Sequence, residues 1–299
     1  MIHSFPISRF GALLLTTVTA SLGIESLPPV AAAPAVTAPS PLPPAHAAAA
    51  SKEIPGNPSE LYAKLSAITR PQWRKLYRPT VTRCLDGRQQ AAMGLGAVTA
   101  DLFLAAQARD TQQIRNLIQD EETIEKTLGL IMPMAERRTE MLSAAESSDW
   151  PALITAIDRL TAAHRRHFRD HKDESLAELA YIGEWMRTLQ ICHAVTIQKE
   201  LKDYRLAIGS PALIVEMNRR LTKLGGGNAD ASHCLKLLNK RLNGLSRLWP
   251  EGEHIFPNLP DRLQRSSDLL SDTVGQLLQE DPPASQPQSN PGTISASER

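Results

Sequence analysis

Proline is depleted from the middle of this chain, and that depletion limits what the chain can fold into. Ten of its 22 prolines precede residue 59 and four follow residue 280; the 222 residues between hold eight. Proline lacks an N–H and clashes with the preceding helical turn, so long helices require such clearance. The span 58–280 is therefore the expected folded domain. Residues 21–57 read as a spacer, with "PPVAAAPAVTAPSPLPPAHAAAA" at 28–50 almost pure Pro and Ala. Residues 281–299, rich in Pro, Ser and Gln, are expected to be a disordered tail.

Inside 58–280 the apolar periodicity is helical throughout, with no useful strand alternation and no repeat of 20–50 residues. The expected fold class is all-α, a multi-helix bundle. Aromatics make up only 4% of the chain, so Leu, Ile and Ala must build the core, which suits packed helices better than a β-sandwich. Helices are expected from Pro58 to before Pro71, from about Leu85 to Ala108, from Asp110 to Gly129, and over about 134–147. A fifth is capped by Asp149 with Pro151 in its first turn. A sixth, about 173–208, carries apolar residues on two faces and is expected to be the long buried central helix. It should fold back antiparallel on the fifth across a turn near Lys172. Two more should follow Ser210 and Asn228 (or Asp230), broken by Gly225-Gly226-Gly227, with a last one at 261–280.

The N-terminus reads as an export signal. One basic residue, Arg9, precedes a mostly apolar run from Phe10 to Leu22, too short for an ordinary span. Residues 1–20 form the expected signal peptide, cleaved after 20 or after 47. No cysteine lies near enough for a lipid anchor, and charges interrupt every later apolar run. The mature chain is thus expected to be periplasmic or envelope-associated, without an integral span. A formal net charge of +1 offers no field for nucleic acid. Cys84, Cys192 and Cys234 form no CxxC or CxxCH, which excludes c-type haem attachment; one disulfide among them is allowed, with its pairing open.

Motifs for chemistry are few. The GLG at 94–96 lacks the strand that a dinucleotide site needs; with Ala91, Ala92, Gly94, Ala97 and Ala100, Gly96 instead strips bulk from one helix so that backbones can approach. Asp101 falls inside this apolar helix as a paired buried carboxylate or an edge residue. No GxSxG occurs, and "LGGGNAD" at 224–230 is not followed by GK[ST]. The ExxH from Glu251 to His254 sits in a Gly- and Pro-flanked loop, unlike helical di-iron sites.

Two stretches, "GLGAVTADLFLAAQARDTQQIRNLIQDEETIEKTLG" and "LAELAYIGEWMRTLQICHAV", resemble uncharacterised exported all-helical bacterial proteins. These share a small-residue helix running into "AD-F-A-QA-D" and a "GGW-R" helix. The resemblance covers about 85–200, with Glu184 standing where a second glycine is expected. It implies an all-α periplasmic protein and brings no catalytic residues.

"HRRHFRDH" at 164–171 is the one stretch with ligand-like spacing. On a helical wheel His164 and His171 fall within the apolar stripe of Leu153, Ile154, Ile157, Leu160 and Phe168, with His167 on its flank; the arginines point elsewhere. Folding the next helix back would bring Glu174 and Glu178 near them, with Tyr181 opposite His164. His164, His167, His171, Glu174 and Glu178 are thus the candidate ligands for a divalent transition metal. Against this stands a plain polar hairpin end, closed by weak His–Glu contacts. His193, beside Cys192, reads as a core histidine. The expected function is a non-enzymatic, exported module that binds a protein or envelope component without a cofactor. The alternative is a metal-binding bundle using the His/Glu cluster of the 150–208 hairpin.

Overall fold

The computed structural model describes residues 54–79, 87–225, 227, 231–253 and 255–278. The signal segment, its cleavage points, the spacer up to residue 53, Cys84, Asn228, Asp230, His254 and the 281–299 tail lie outside them. Every described residue belongs to one compact unit, 43–299.

Among the described residues the structure is all-helical, with no strand. The helices are α1 (Pro58–Ile68), α2 (Gly87–Gln107), α3 (Thr111–Leu128), α4 (Ile131–Glu146), α5 (Trp150–Asp170), α6 (Glu174–Gln198), a single turn α7 (Arg205–Ile208), α8 (Pro211–Lys223), α9 (His233–Leu248) and α10 (Leu259–Leu278). A 3-10 turn, Trp73–Leu76, joins α1 to α2. No described helix is long and apolar enough to cross a membrane.

Side-chain capping accounts for three of the starts. Asp110 accepts from the Gln113 N–H at 3.1 Å and Asp149 from the Ala152 N–H at 3.0 Å, each satisfying an orphan donor of the first turn. α9 is capped by Ser232, which accepts from the Leu235 N–H, a few residues later than the cap expected at Asn228 or Asp230. Asp173 precedes α6 without capping it; its carboxylate pairs with Arg88 at 2.7 Å instead.

The ends are less conventional. Gly129 closes α3 in the left-handed region, as expected, but Arg109, Ser148, Lys172 and Glu200 do the same work after α2, α4, α5 and α6. Glu200 corrects the expected length of the central helix, which stops at Gln198 rather than 208. With Glu200 at φ 51°, the Leu201 N–H turns back to the Thr196 carbonyl and Leu201 packs against the core. That hydrophobic contact offsets the roughly 1–2 kcal/mol that a side chain costs in this conformation.

The core is built on α2 against α6. Every residue of α2 from Ala91 to Ala106 is buried. A Cβ added at Gly96 would overlap the Ala180 carbonyl, and one at Gly183 would overlap the Met93 carbonyl. The two glycines therefore let the backbones touch, and the small-residue face of α2 has its counterpart on α6. Asp101 anchors the same interface: it accepts from Arg187 Nε at 2.8 Å and from Arg78 Nε at 2.5 Å, all three side chains being buried. Arg187 also donates to the Leu76 carbonyl, tying the 3-10 turn down. α3 packs on α2, α4 on α3 and α5 on α4, while α8, α9 and α10 pack on one another in turn and α10 returns to α6.

Candidate metal centre

A helix that reads as amphipathic is expected to keep carboxylates off its buried face. α3 does not. Glu121 and Glu125, one turn apart and therefore on one side of the helix, are both fully buried. They face His164 of α5, which is 2% exposed. One ligand atom from each of the three residues lies within 4.8 Å of the others.

The partners are unequal. The His164 Nε2–H donates to Glu125 Oε1 at 2.8 Å, and Arg138 of α4 donates through Nη1 to Glu125 Oε2. Arg138 also reaches Glu122 Oε1 at 3.2 Å and the Ile131 carbonyl at 2.8 Å. Glu121 has nothing: both carboxylate oxygens are buried without a hydrogen-bond partner. Burial first, and the neighbouring Glu125 charge second, push its carboxyl well above the ordinary range; Arg138 only partly offsets them. A buried polar group left without partners costs about 1–3 kcal/mol, more if charged, so it calls for a missing partner.

Two carboxylates and an imidazole form a hard-to-borderline donor set, suited to divalent zinc, manganese or ferrous iron and unsuited to cuprous ion. Charge agrees. Glu121, Glu122 and Glu125 against Arg138 leave two net negative charges when ionised, which one divalent cation cancels.

The structure brings only one of the five expected ligands into this cluster. His164 sits where the wheel places it, but faces α3 and α4. The apolar face of α5 packs mainly on the preceding helix α4, not on the following helix α6, so the expected hairpin pairing of histidines with Glu174 and Glu178 does not form. Glu178 pairs with Arg220 of α8 at 2.6 Å. Tyr181 lies under the same guanidinium, 3.9 Å from centroid to Cζ, rather than opposite His164. Glu174 lies with Arg165, Arg169, Tyr181 and Arg220 around a cleft of about 270 Å³. His171, placed by the wheel toward the bundle, is exposed, because it is the C-cap residue and Phe168 ends the buried stripe. His167 is half-buried and stacks on it, ring centroids 4.0 Å apart.

Other candidates resolve as core. The His193 Nδ1–H donates to the Leu189 carbonyl at 2.7 Å, and full burial lowers its imidazole to about 4. Cys192 and Cys234 are free thiols, so those two are not joined. Glu184 is buried against Arg165 at 2.9 Å, and burial, partly offset by that arginine, pushes its carboxyl up to about 7.

Compared with known proteins, the chain matches no protein-family model, no curated protein and no solved structure.

Proposed function

We propose that this chain is an exported helical bundle that binds one divalent transition-metal ion through Glu121, Glu125 and His164. The observation that carries the reading is the Glu121 carboxylate, buried with no partner beside two groups that commonly ligate metals. The hydrogen bond between His164 and Glu125 supports it as well: two donors aimed at a common point share a proton when no ion stands between them. The three donors come from two helices set by core packing rather than by a loop, which favours holding an ion over exchanging it quickly. Export rests on the apolar run at 10–22.

Calorimetric titration of the metal-free full chain with zinc, manganese and ferrous iron tests the reading. It predicts one site per chain for at least one of these ions, lost in Glu121→Gln. Absence of binding by all three at micromolar concentrations rules it out.

A second reading, association with an envelope lipid, is supported by a separate apolar cleft. It holds about 620 Å³ between the end of α6 and the start of α10, with Ile197, Leu201, Leu259, Pro260 and Leu263 on its walls. Cavities of this size accommodate small apolar ligands. Flotation of the full chain with phospholipid vesicles, abolished by Leu263→Glu, supports this reading; no flotation of the unaltered chain removes it.

A further inference from the structure

A fully buried metal site needs a way in. Glu121 and Glu125 are 0% exposed and His164 is 2% exposed, so an ion cannot meet them directly from water. The helix that supplies His164 carries two more imidazoles along the same side, His167 three positions on and His171 four beyond that. Residues at these spacings are neighbours on a helix surface, with Cβ atoms about 5–6 Å apart. The exposure is graded: His171 is exposed, His167 half-buried, His164 buried.

The outer pair offers two imidazole donors side by side at the surface, not converging on one point. The His167 and His171 rings stack with planes 23° apart and centroids at 4.0 Å. The His171 Nδ1 lies 2.8 Å from the His167 carbonyl. A carbonyl can only accept, so Nδ1 carries the proton and the Nε2 lone pair of the neutral ring is free, the second-shell arrangement that orients metal-binding histidines. Both residues sit at the C-terminal end of α5, where the partial negative charge of the helix favours a cation. Asp170 and Asp173 lie close enough to act on His167, and Glu174 follows at the start of α6. Arg166, Arg169 and Lys172 share this helix end and oppose the attraction. Capture there must therefore come from the imidazole donors rather than from the field alone.

We propose that His171 and His167 form a surface capture site for a divalent transition-metal ion and pass it down α5 to His164 and the buried carboxylates. This inference rests on the metal-binding reading of Glu121, Glu125 and His164, and assigns the remaining histidines of "HRRHFRDH" a role in entry rather than in final coordination. No bond is made or broken in the transfer beyond ligand exchange: each imidazole releases the ion as the next donor takes it.

Stopped-flow mixing of the metal-free full chain with zinc chloride, followed with a zinc-responsive dye, tests it. In the His167→Ala/His171→Ala variant the equilibrium affinity stays within about twofold while the association rate falls at least about tenfold, a capture effect of the same order as the lower end of electrostatic steering. His164→Gln loses the tight site and retains only weak, fast binding at the outer pair. Circular dichroism of each variant confirms the helical fold. Equal association rates in the unaltered chain and the double variant overturn the capture route and leave the buried site standing. Loss of equilibrium affinity in the double variant also overturns it, because the pair would then be part of the final site. An unaltered chain that takes up no zinc overturns the metal-binding reading and the route together.

Discussion

His164 and Glu125 stand 39 positions apart in the chain and 2.8 Å apart in the fold, buried and hydrogen-bonded. Their contact joins α3 to α5 at the point where Glu121 waits without a partner. Three side chains thus make a polar centre inside a layer that leucine and isoleucine would otherwise fill. Such centres are costly to keep.

Replacing Glu121 by Gln keeps a buried polar group of the same shape but removes the cost of burying or neutralising a charge there. The metal-free chain should gain roughly 1–2 kcal/mol in urea unfolding measured with chelator present. A loss of stability of similar size would mean that the ionised carboxylate is already satisfied in the metal-free chain.

The Asp101 carboxylate neutralises one of the two guanidinium groups it bridges, Arg187 and Arg78. Asp101→Asn leaves both charges buried against a neutral amide. The expected loss is about 3–5 kcal/mol, the range found when one partner of a buried pair is removed. Chemical denaturation reads it directly; a loss below about 1 kcal/mol would mean that the network is well solvated.

Gly183→Ala drives a methyl into the Met93 carbonyl, where two core helices leave no room to retreat. It should cost about 2–3 kcal/mol or more. Gly129→Ala meets no atom and pays only the left-handed backbone, about 1–2 kcal/mol. Thermal unfolding of the two variants should therefore separate steric cost from conformational cost, with Gly183→Ala the lower. The reverse order would contradict the backbone contact between α2 and α6.

Burial raises the Glu184 carboxyl to about 7 in the folded chain, above its value in the unfolded chain. The folded state then holds the proton more tightly. This contribution to stability is complete below the unfolded value near 4.5 and is lost as pH rises through about 7. Glu184→Gln, which keeps an oxygen for Arg165, should melt close to the unaltered chain at acid pH and above it at mildly alkaline pH. Parallel melting curves across that range would show Glu184 to be no such group.

Much of the fold was legible because it rests on local rules. Asp110, Asp149 and Gly129 cap where capping chemistry places them, and the small residues around Gly96 announce a close helix contact. The end of α6 was not legible, since Glu200 takes a conformation that glycine usually marks and a long-range contact by Leu201 holds it there. The site was half legible. His164 reads correctly as buried, but its partners depend on which neighbour α5 packs against, and helix order does not determine that. A signal was present: at about 100° per residue, Glu121 and Glu125 fall inside the arc set by Ile114, Leu117, Ile118, Ile124 and Leu128. Two carboxylates in the middle of an apolar stripe mark a buried site more reliably than histidines at a helix end.

The most direct test of the central claim is X-ray absorption at the zinc edge on the full chain loaded with one equivalent of zinc. The account predicts an inner shell of oxygen and nitrogen at about 2.0–2.2 Å with the outer-shell signature of a single imidazole, and no such ordered shell in Glu121→Gln. Sulfur at about 2.3 Å, pointing to one of the three cysteines, or a purely hydrated ion, would contradict it.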